Sequence, residues 1–221
     1  MTRWATFDCY GTLIDWNGGI GDELARLWGE ERRVALLARY HEIEPRLQAG
    51  EGGALPYRTV LTEALVALAR EEGLVLPDAE RDALARSLPR WRAFPEVPVS
   101  LSAVRERGWR IAILSNTDRD YIEASLATIG VPFDELVVAS EIGSYKPSLG
   151  HWRAFTERTG ADTARHVHVG ASLFHDAHPA AELGLPMVWI NREVERATVP
   201  VARQLPSLAG LATALDALVP E

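Results

Sequence analysis

Phe7-Asp8-Cys9-Tyr10-Gly11-Thr12-Leu13-Ile14-Asp15 sets an aspartate at the C-terminal end of a short apolar strand, followed at once by a glycine turn and a threonine. In an open α/β sheet, ligands bind outside the carboxyl ends of the strands, so Asp8 projects where chemistry takes place. A carboxylate there can serve as a nucleophile and divide one hard displacement into two easier ones. The fragment also reads more plainly, as a strand ending in a turn with Asp8 capping a helix.

Working outward, Trp4 to Asp8 reads as a first strand. Asp22 to Arg46, Tyr57 to Glu72 and Asp78 to Arg92 then look like amphipathic helices. Leu61, Leu65, Leu68 and Ala69 have the i, i+4, i+7, i+8 spacing of a helix stripe. Gly50 to Pro56 and Gly73 to Pro77 are breakers, and Asn17-Gly18-Gly19 is read as loop punctuation. After Phe94-Pro95-Glu96-Val97-Pro98, strands are expected at Trp109–Leu114, Glu135–Ala139, Val167–Gly170 and Met187–Ile190. Helices are expected between them at Ser100–Arg107, Asp118–Ile129, Leu149–Thr159 and His175–Leu183. This alternation predicts parallel strands with crossover helices, and the apolar strands suit a sheet covered on both faces. Residues 15–94 are expected to form an all-helical insertion, and Ser207 to Val219 a final helix packed on the core.

The chain has 221 residues, 47% hydrophobic and 24% charged, enough to bury a proper core. Its formal charge of −8 argues against a nucleic-acid backbone or an anionic membrane surface as partner, and leaves room for a small anionic substrate held by one local cation. The single cysteine, Cys9, excludes an internal disulfide and suits a reducing compartment; it is read as a small buried filler. No signal peptide and no membrane-spanning apolar run is seen, so the cytoplasm is expected.

Asp8 has company. Ile111 to Leu114 ends in Ser115-Asn116, Val137-Val138-Ala139 leads to Tyr145-Lys146-Pro147, and His166 to Gly170 leads to Ala171-Ser172-Leu173-Phe174-His175-Asp176. Four strand-like segments therefore deliver, in order, Asp, Ser-Asn, Lys and Asp. This ordered set resembles the four motifs of the haloacid dehalogenase superfamily, from Trp4 to about Asn191. The resemblance implies a Rossmann-like parallel sheet core at residues 1–14 and 95–221, and a helical cap at 15–94 that excludes water and chooses the substrate.

Phosphatases of the superfamily carry a second aspartate two residues after the nucleophile. Here that position is Tyr10, a poor proton shuttle with a reference pKa near 10. The Asp-x-Tyr-Gly-Thr form is similar to the L-2-haloacid dehalogenase branch, whose halide leaving group needs no proton. On that resemblance Asp8 is the nucleophile and Lys146 holds it oriented and ionised. Ser115 and Asn116 bind the substrate carboxylate or the nucleophile. Thr12 supports the Asp8 region, and Asp176 positions Lys146 or helps activate water. Tyr10, Thr12 and Trp152 are counted with the substrate-binding set. Trp16 either lines the halogen pocket or packs the hinge.

The dehalogenases use a cap arginine near the halide, and Arg39, 31 residues after Asp8, matches it by ungapped spacing; Arg32, Arg33 and Arg46 are its neighbours. The pattern then breaks. Where dehalogenases have a serine and an asparagine before the last aspartate, this chain has Ala171 and Leu173, and Trp152 replaces a tyrosine. Ser172 stands beside the vacant serine position. His175 is the best placed of the histidines to replace the missing water activator, because histidine titrates near neutral pH.

The expected reaction is hydrolytic dehalogenation of a small 2-haloacid through an Asp8 ester, without metal or other cofactor. A homodimer is implied by the resemblance alone. Two other readings stand beside it: a magnesium-dependent phosphatase, for which Ala171 removes a usual ligand, and a weakly active binding protein on the same scaffold.

Overall fold

The computed structural model describes residues 2–48 and 55–221. The Gly50–Gly53 part of the expected breaker lies outside them. Strand β1, Arg3–Phe7, is followed by helices α1 (Trp16–Trp28), α2 (Arg33–Gln48), α3 (Tyr57–Glu71) and the short α4 (Ala83–Ser87). The chain then alternates: α5 (Val97–Glu106), β2 (Trp109–Ser115), α6 (Arg119–Ile129), β3 (Glu135–Val138), α7 (Ala139–Ile142), α8 (Gly150–Thr159) and β4 (His166–Gly170). A π-helical turn at Leu173–Ala177 opens α9 (His178–Glu182), and β5 (Met187–Ile190), β6 (Arg203–Leu205) and α10 (Leu211–Leu218) complete the order.

The six strands form one parallel sheet in the order β3-β2-β1-β4-β5-β6. β1 is central, with Phe7 level with Ile113 on one side and Val169 on the other. The chain winds from β1 out to β3 and returns to β4, so the direction of winding reverses between β1 and β4. Such a switch point opens a crevice at the carboxyl ends, and Asp8 is the first residue beyond β1 there.

Strand residues alternate between two apolar layers, which is why the strands are apolar throughout. Ala5, Phe7, Ile111, Ile113, Val167 and Val169 pack beneath α5, α6 and α10. Trp4, Ala112, Leu114, Met187 and Trp189 pack against Trp152 and Phe155 of α8 and Ala180 of α9. Thr6 faces the second layer and bonds two buried histidines, His166 Nε2 at 2.8 Å and His168 Nδ1 at 2.9 Å.

Between β1 and β2 every regular element among the described residues is helical. The chain leaves and re-enters the α/β part through two paired segments. Asp15 N donates to Arg92 O at 2.8 Å, and Phe94 N to Leu13 O at 3.0 Å. Asp118, on the α/β side, accepts the first backbone amides of α3 from Tyr57 and Arg58 at 2.9 and 3.0 Å. Those amides have no partner inside the helix, so the carboxylate both caps α3 and ties the two parts together.

Several sequence expectations need correction. Gly18 and Gly19 lie inside α1, because Asp15 accepts from Gly18 N at 2.8 Å and starts the helix before them. The absence of a side chain at Gly19 lets Trp91 lie against it: a Cβ there would come within 2.4 Å of the indole. The helix expected from Asp22 to Arg46 is two helices, divided at Gly29, whose φ of 97° ends α1. The segment from Asp78 to Arg92 is a series of short turns around α4, with Pro89 starting a new one. β6 carried no strand signal, since its three residues are polar or partly exposed on the sheet edge.

Candidate active site

Asp8 accepts from two buried groups. Thr12 Oγ1 donates to its Oδ2 at 2.7 Å, and Lys146 Nζ to its Oδ1 at 2.8 Å. Gly11, with a φ of +90° open to few residues but glycine, turns the chain so that Thr12 can reach back to Asp8. Thr12 Oγ1 also accepts from Ala171 N at 2.9 Å and so bridges the ends of β1 and β4. It is buried and bonds Asp8 rather than lining the cavity, which corrects its assignment to substrate binding.

Lys146 Nζ donates at the same time to Asp176 Oδ1, at 2.7 Å. Burial alone would lower the lysine pKa, but Asp176 and Asp8 outweigh it and hold the ammonium above its ordinary range. Burial would likewise raise Asp176, yet Lys146 and His168 keep its carboxyl well below the usual carboxylate range. Asp176 also accepts from Ser172 N at 3.1 Å, and His168 Nε2 lies 3.4 Å away. Gly170 makes room for it, since a Cβ there would meet Asp176 Oδ2 at 2.4 Å. Asp176 has no exposed surface and does not line the cavity; it positions Lys146 and cannot touch substrate water there.

Asn116 holds the same lysine from behind. Its Nδ2 donates to Lys146 O at 3.0 Å, and Lys146 N donates to its Oδ1 at 2.7 Å. The Asn116 side chain reaches the cavity wall, but its amide is engaged by the Lys146 backbone. Ser115 is buried beside it, outside the cavity, with its carbonyl accepting from His151 Nε2 at 3.0 Å. Its expected contact with substrate is corrected accordingly.

A cavity of about 600 Å³ opens above Asp8. Tyr10, Trp16 and Tyr57 form an aromatic wall. Tyr10 and Tyr57 stack at 6.1 Å, Tyr10 Oη shares a hydrogen bond with Ser125 Oγ at 3.0 Å, and Trp16 Nε1 donates to Tyr57 Oη at 2.9 Å. Ser172 and His175 line the opposite side. Ser172 Oγ accepts from His175 N at 3.0 Å and lies 3.2 Å from His175 Nδ1, closing the π-helical turn. Burial, with the Lys146 charge, holds the His175 pKa below its ordinary value despite Asp176 and Asp8, so the ring is neutral at neutral pH. Cys9 is buried with its thiol pushed up by burial and the Asp8 charge, as a filler rather than a reactive group.

Two expected residues are elsewhere. Arg39 is on the outer surface of α2, where its guanidinium meets Glu42, Glu72 at 2.9 Å and Glu71 at 3.1 Å. The face of α2 turned to the cavity carries His41, Glu44, Pro45 and Gln48 instead. A residue count along the chain does not fix which face of a helix looks inward. Trp152 is buried in the second apolar layer, edge-on to His168 at 5.1 Å, and lies outside this cavity.

Sequence reasoning missed Arg192 and Glu44. Arg192 follows β5, lines the cavity, donates to Thr12 O at 2.9 Å and Glu96 at 2.7 Å, and lies over the Phe94 ring. Its place at the carboxyl end of a strand was the available signal. Among the described residues no group of three or more His, Cys, Asp or Glu side chains is arranged to hold a metal ion, and no helix is long and apolar enough to cross a membrane.

The chain is similar to known proteins. A family model for haloacid dehalogenase-like hydrolases covers residues 2–184. The chain is 30% identical to the (S)-2-haloacid dehalogenase of Pseudomonas sp. (strain YL), over 84% of this chain and 81% of that one. It is 27% identical to haloacetate dehalogenase H-2 of Moraxella sp. (strain B), over 84% of both chains. Among solved structures, the L-2-haloacid dehalogenase RSc1362 superposes with a TM-score of 0.87 at 22% identity, over 97% of this chain and 99% of that one. The Xanthobacter autotrophicus L-2-haloacid dehalogenase does so with a TM-score of 0.82 at 20% identity, over 96% and 98%. The structural likeness is one of fold, and with the sequence match it places this chain among the haloacid dehalogenase-like hydrolases.

Proposed function

We propose that this hydrolase cleaves the carbon–halogen bond of a 2-haloacid through an ester on Asp8, as the names of its relatives suggest for them. The observation that carries the reading is the carboxylate of Asp8, held by Thr12 and Lys146 at the floor of a cavity, with Tyr10 in place of a second acid. An Asp8 oxygen attacks C2, the carbon–halogen bond breaks, and halide leaves with the bonding electrons. No proton is needed by that leaving group, so a hydrogen-bonded tyrosine at position 10 is no handicap.

Hydrolysis of the ester then requires a base. His175, neutral and on the cavity wall, supplies it in the tautomer whose Nδ1–H donates to Ser172 Oγ and leaves Nε2 as acceptor. Water adds to the Asp8 carboxyl carbon, His175 takes the proton, and the 2-hydroxyacid departs. Ser172 and His175 thereby cover for the polar groups absent at Ala171 and Leu173.

No metal enters this scheme. The phosphatase reading is disfavoured by the donor set, since Asp8 and Asp176 both direct an oxygen at Lys146 and Ala171 supplies none. The lone buried Cys9 supports a reducing, cytoplasmic setting.

Halide release from (S)-2-chloropropionate in the presence of EDTA tests the reading. Turnover that persists with the chelator and disappears in Asp8→Asn is the expected result. Magnesium-stimulated phosphate release without halide would replace it with the phosphatase reading.

A further inference from the structure

The cap side of the cavity contains an acidic group that the reaction at Asp8 does not use. Glu44, on α2, is 5% exposed and lines the cavity, yet it has no cationic partner among the described residues. Buried carboxylates are normally paired, because removing one from water without compensation is costly. Its hydrogen bond comes from Gln48 Nε2, one turn further along α2. Among the described residues, Gln48 Oε1 is buried with no partner, and so is the Tyr40 hydroxyl.

The surroundings sharpen the chemistry. The arginines of the same helix are engaged elsewhere: Arg33 meets Asp22 at 2.7 Å, and Arg39 and Arg46 are held outside by Glu42, Glu71 and Glu72. His41 stacks on Trp16 at 5.1 Å, and burial keeps it below its ordinary pKa and so uncharged. Trp16 also meets Tyr40 at 5.9 Å, and Tyr57 completes the wall. Two oxygen acceptors beside aromatic faces, with no cation paired to them among the described residues, are the ingredients of a cation site. The cavity, at about 600 Å³, is in the range that takes drug-sized ligands and has far more room than a three-carbon haloacid fills.

We infer that Glu44, Gln48 and the Trp16–Tyr57 wall form a binding subsite for a primary ammonium group at the end of the substrate remote from Asp8. This deepens the dehalogenase reading and rests on it only for the chemistry at the Asp8 end. The substrate class becomes a 2-halo (or similarly activated) acid whose chain carries an amine. The bound ammonium would give Glu44 the charge partner it lacks and use the free Gln48 oxygen.

The test is calorimetric titration of the whole protein with n-pentylammonium chloride, 1-pentanol and pentanoate at about pH 8, where Glu44 is ionised. Pentylammonium should bind about tenfold or more tighter than pentanol. Glu44→Gln and, separately, Gln48→Leu should each erase that preference; the wild-type comparison stands even if one variant misfolds. In kinetics, kcat/KM for 2-chloro-6-aminohexanoate should exceed that for 2-chlorohexanoate, through KM. Equal binding of pentylammonium and pentanol, tighter pentanoate, or no binding of pentylammonium would overturn the inference. The titration involves no carbon–halogen bond, so a protein that prefers the amine but releases no halide from a haloacid would remove the dehalogenase reading and leave this subsite standing.

Discussion

Lys146 Nζ lies 2.8 Å from Asp8 Oδ1, with the lysine side chain only 1% exposed. The ammonium is shared with Asp176 at 2.7 Å, so one cation offsets two carboxylates, Asp176 fully buried and Asp8 12% exposed at the cavity floor. Breaking such a buried set is far more costly than the net worth of the pair, because the surviving charges stay behind.

Lys146→Met should therefore affect folding and chemistry together. Asp8 and Asp176 would face each other without a cation, and one would take up a proton at neutral pH. A loss of about 3–5 kcal/mol in denaturant unfolding is expected, with halide release abolished. A stable, active Lys146→Met protein would show that the lysine does not hold the nucleophile.

Gly170 tests the second carboxylate without touching a charge. An alanine Cβ would come within 2.4 Å of Asp176 Oδ2, an atom already fixed by Ser172 N. Overpacking of this kind costs about 1–3 kcal/mol. Gly170→Ala should also lower kcat, because a displaced Asp176 moves Lys146; unchanged turnover would contradict that positioning role.

His175→Ala separates the two chemical steps. If His175 activates water, the variant should release about one halide per protein and then stall with the ester on Asp8, visible as a mass increase of the intact chain. Steady halide release at the wild-type rate would assign water activation to another group.

Glu44 makes stability depend on pH with a definite sign. Burial raises its pKa from the usual 4.5 to about 7, so between those values the folded chain binds a proton that the unfolded chain has lost. Stability from this group is greatest below the ordinary value and is lost as pH rises through about 7. The loss is on the order of 3 kcal/mol. Glu44→Gln cannot titrate there, so the wild-type stability relative to the variant should fall between about pH 5 and pH 8. A constant difference in denaturant unfolding would mean Glu44 is ionised throughout.

The reading of the sequence reached the residues that sit at strand ends. Asp8 was legible because it directly follows an apolar strand, and Lys146 and Asp176 because they lie in the segments that follow β3 and β4, in an order that leaves few topologies. Strand β5 was read to the residue, since four apolar residues between Pro186 and Asn191 leave little freedom. The helical side was less legible, because a helix face turns by a hundred degrees per residue and one break changes which residues look inward. On α2 the face turned to the cavity carries Glu44, while Arg39 lies on the outer one. Trp152 shows the same effect: spacing from Lys146 says nothing about which side of α8 meets the sheet. Asn116 was placed correctly near the site, but its partner, the backbone of Lys146, follows from a tertiary contact no local pattern encodes.

The nucleophilic role of Asp8 is tested most directly by turnover of (S)-2-chloropropionate in water labelled with heavy oxygen, followed by mass analysis of the peptide that contains Asp8. Ester formation and attack of water on the Asp8 carboxyl carbon should deposit the label in that peptide during turnover, and Asp8→Asn should acquire none and release no halide. Halide release with heavy oxygen appearing in the hydroxyacid product from the first turnover, and none in the peptide, would show that water attacks the substrate directly and that Asp8 forms no ester.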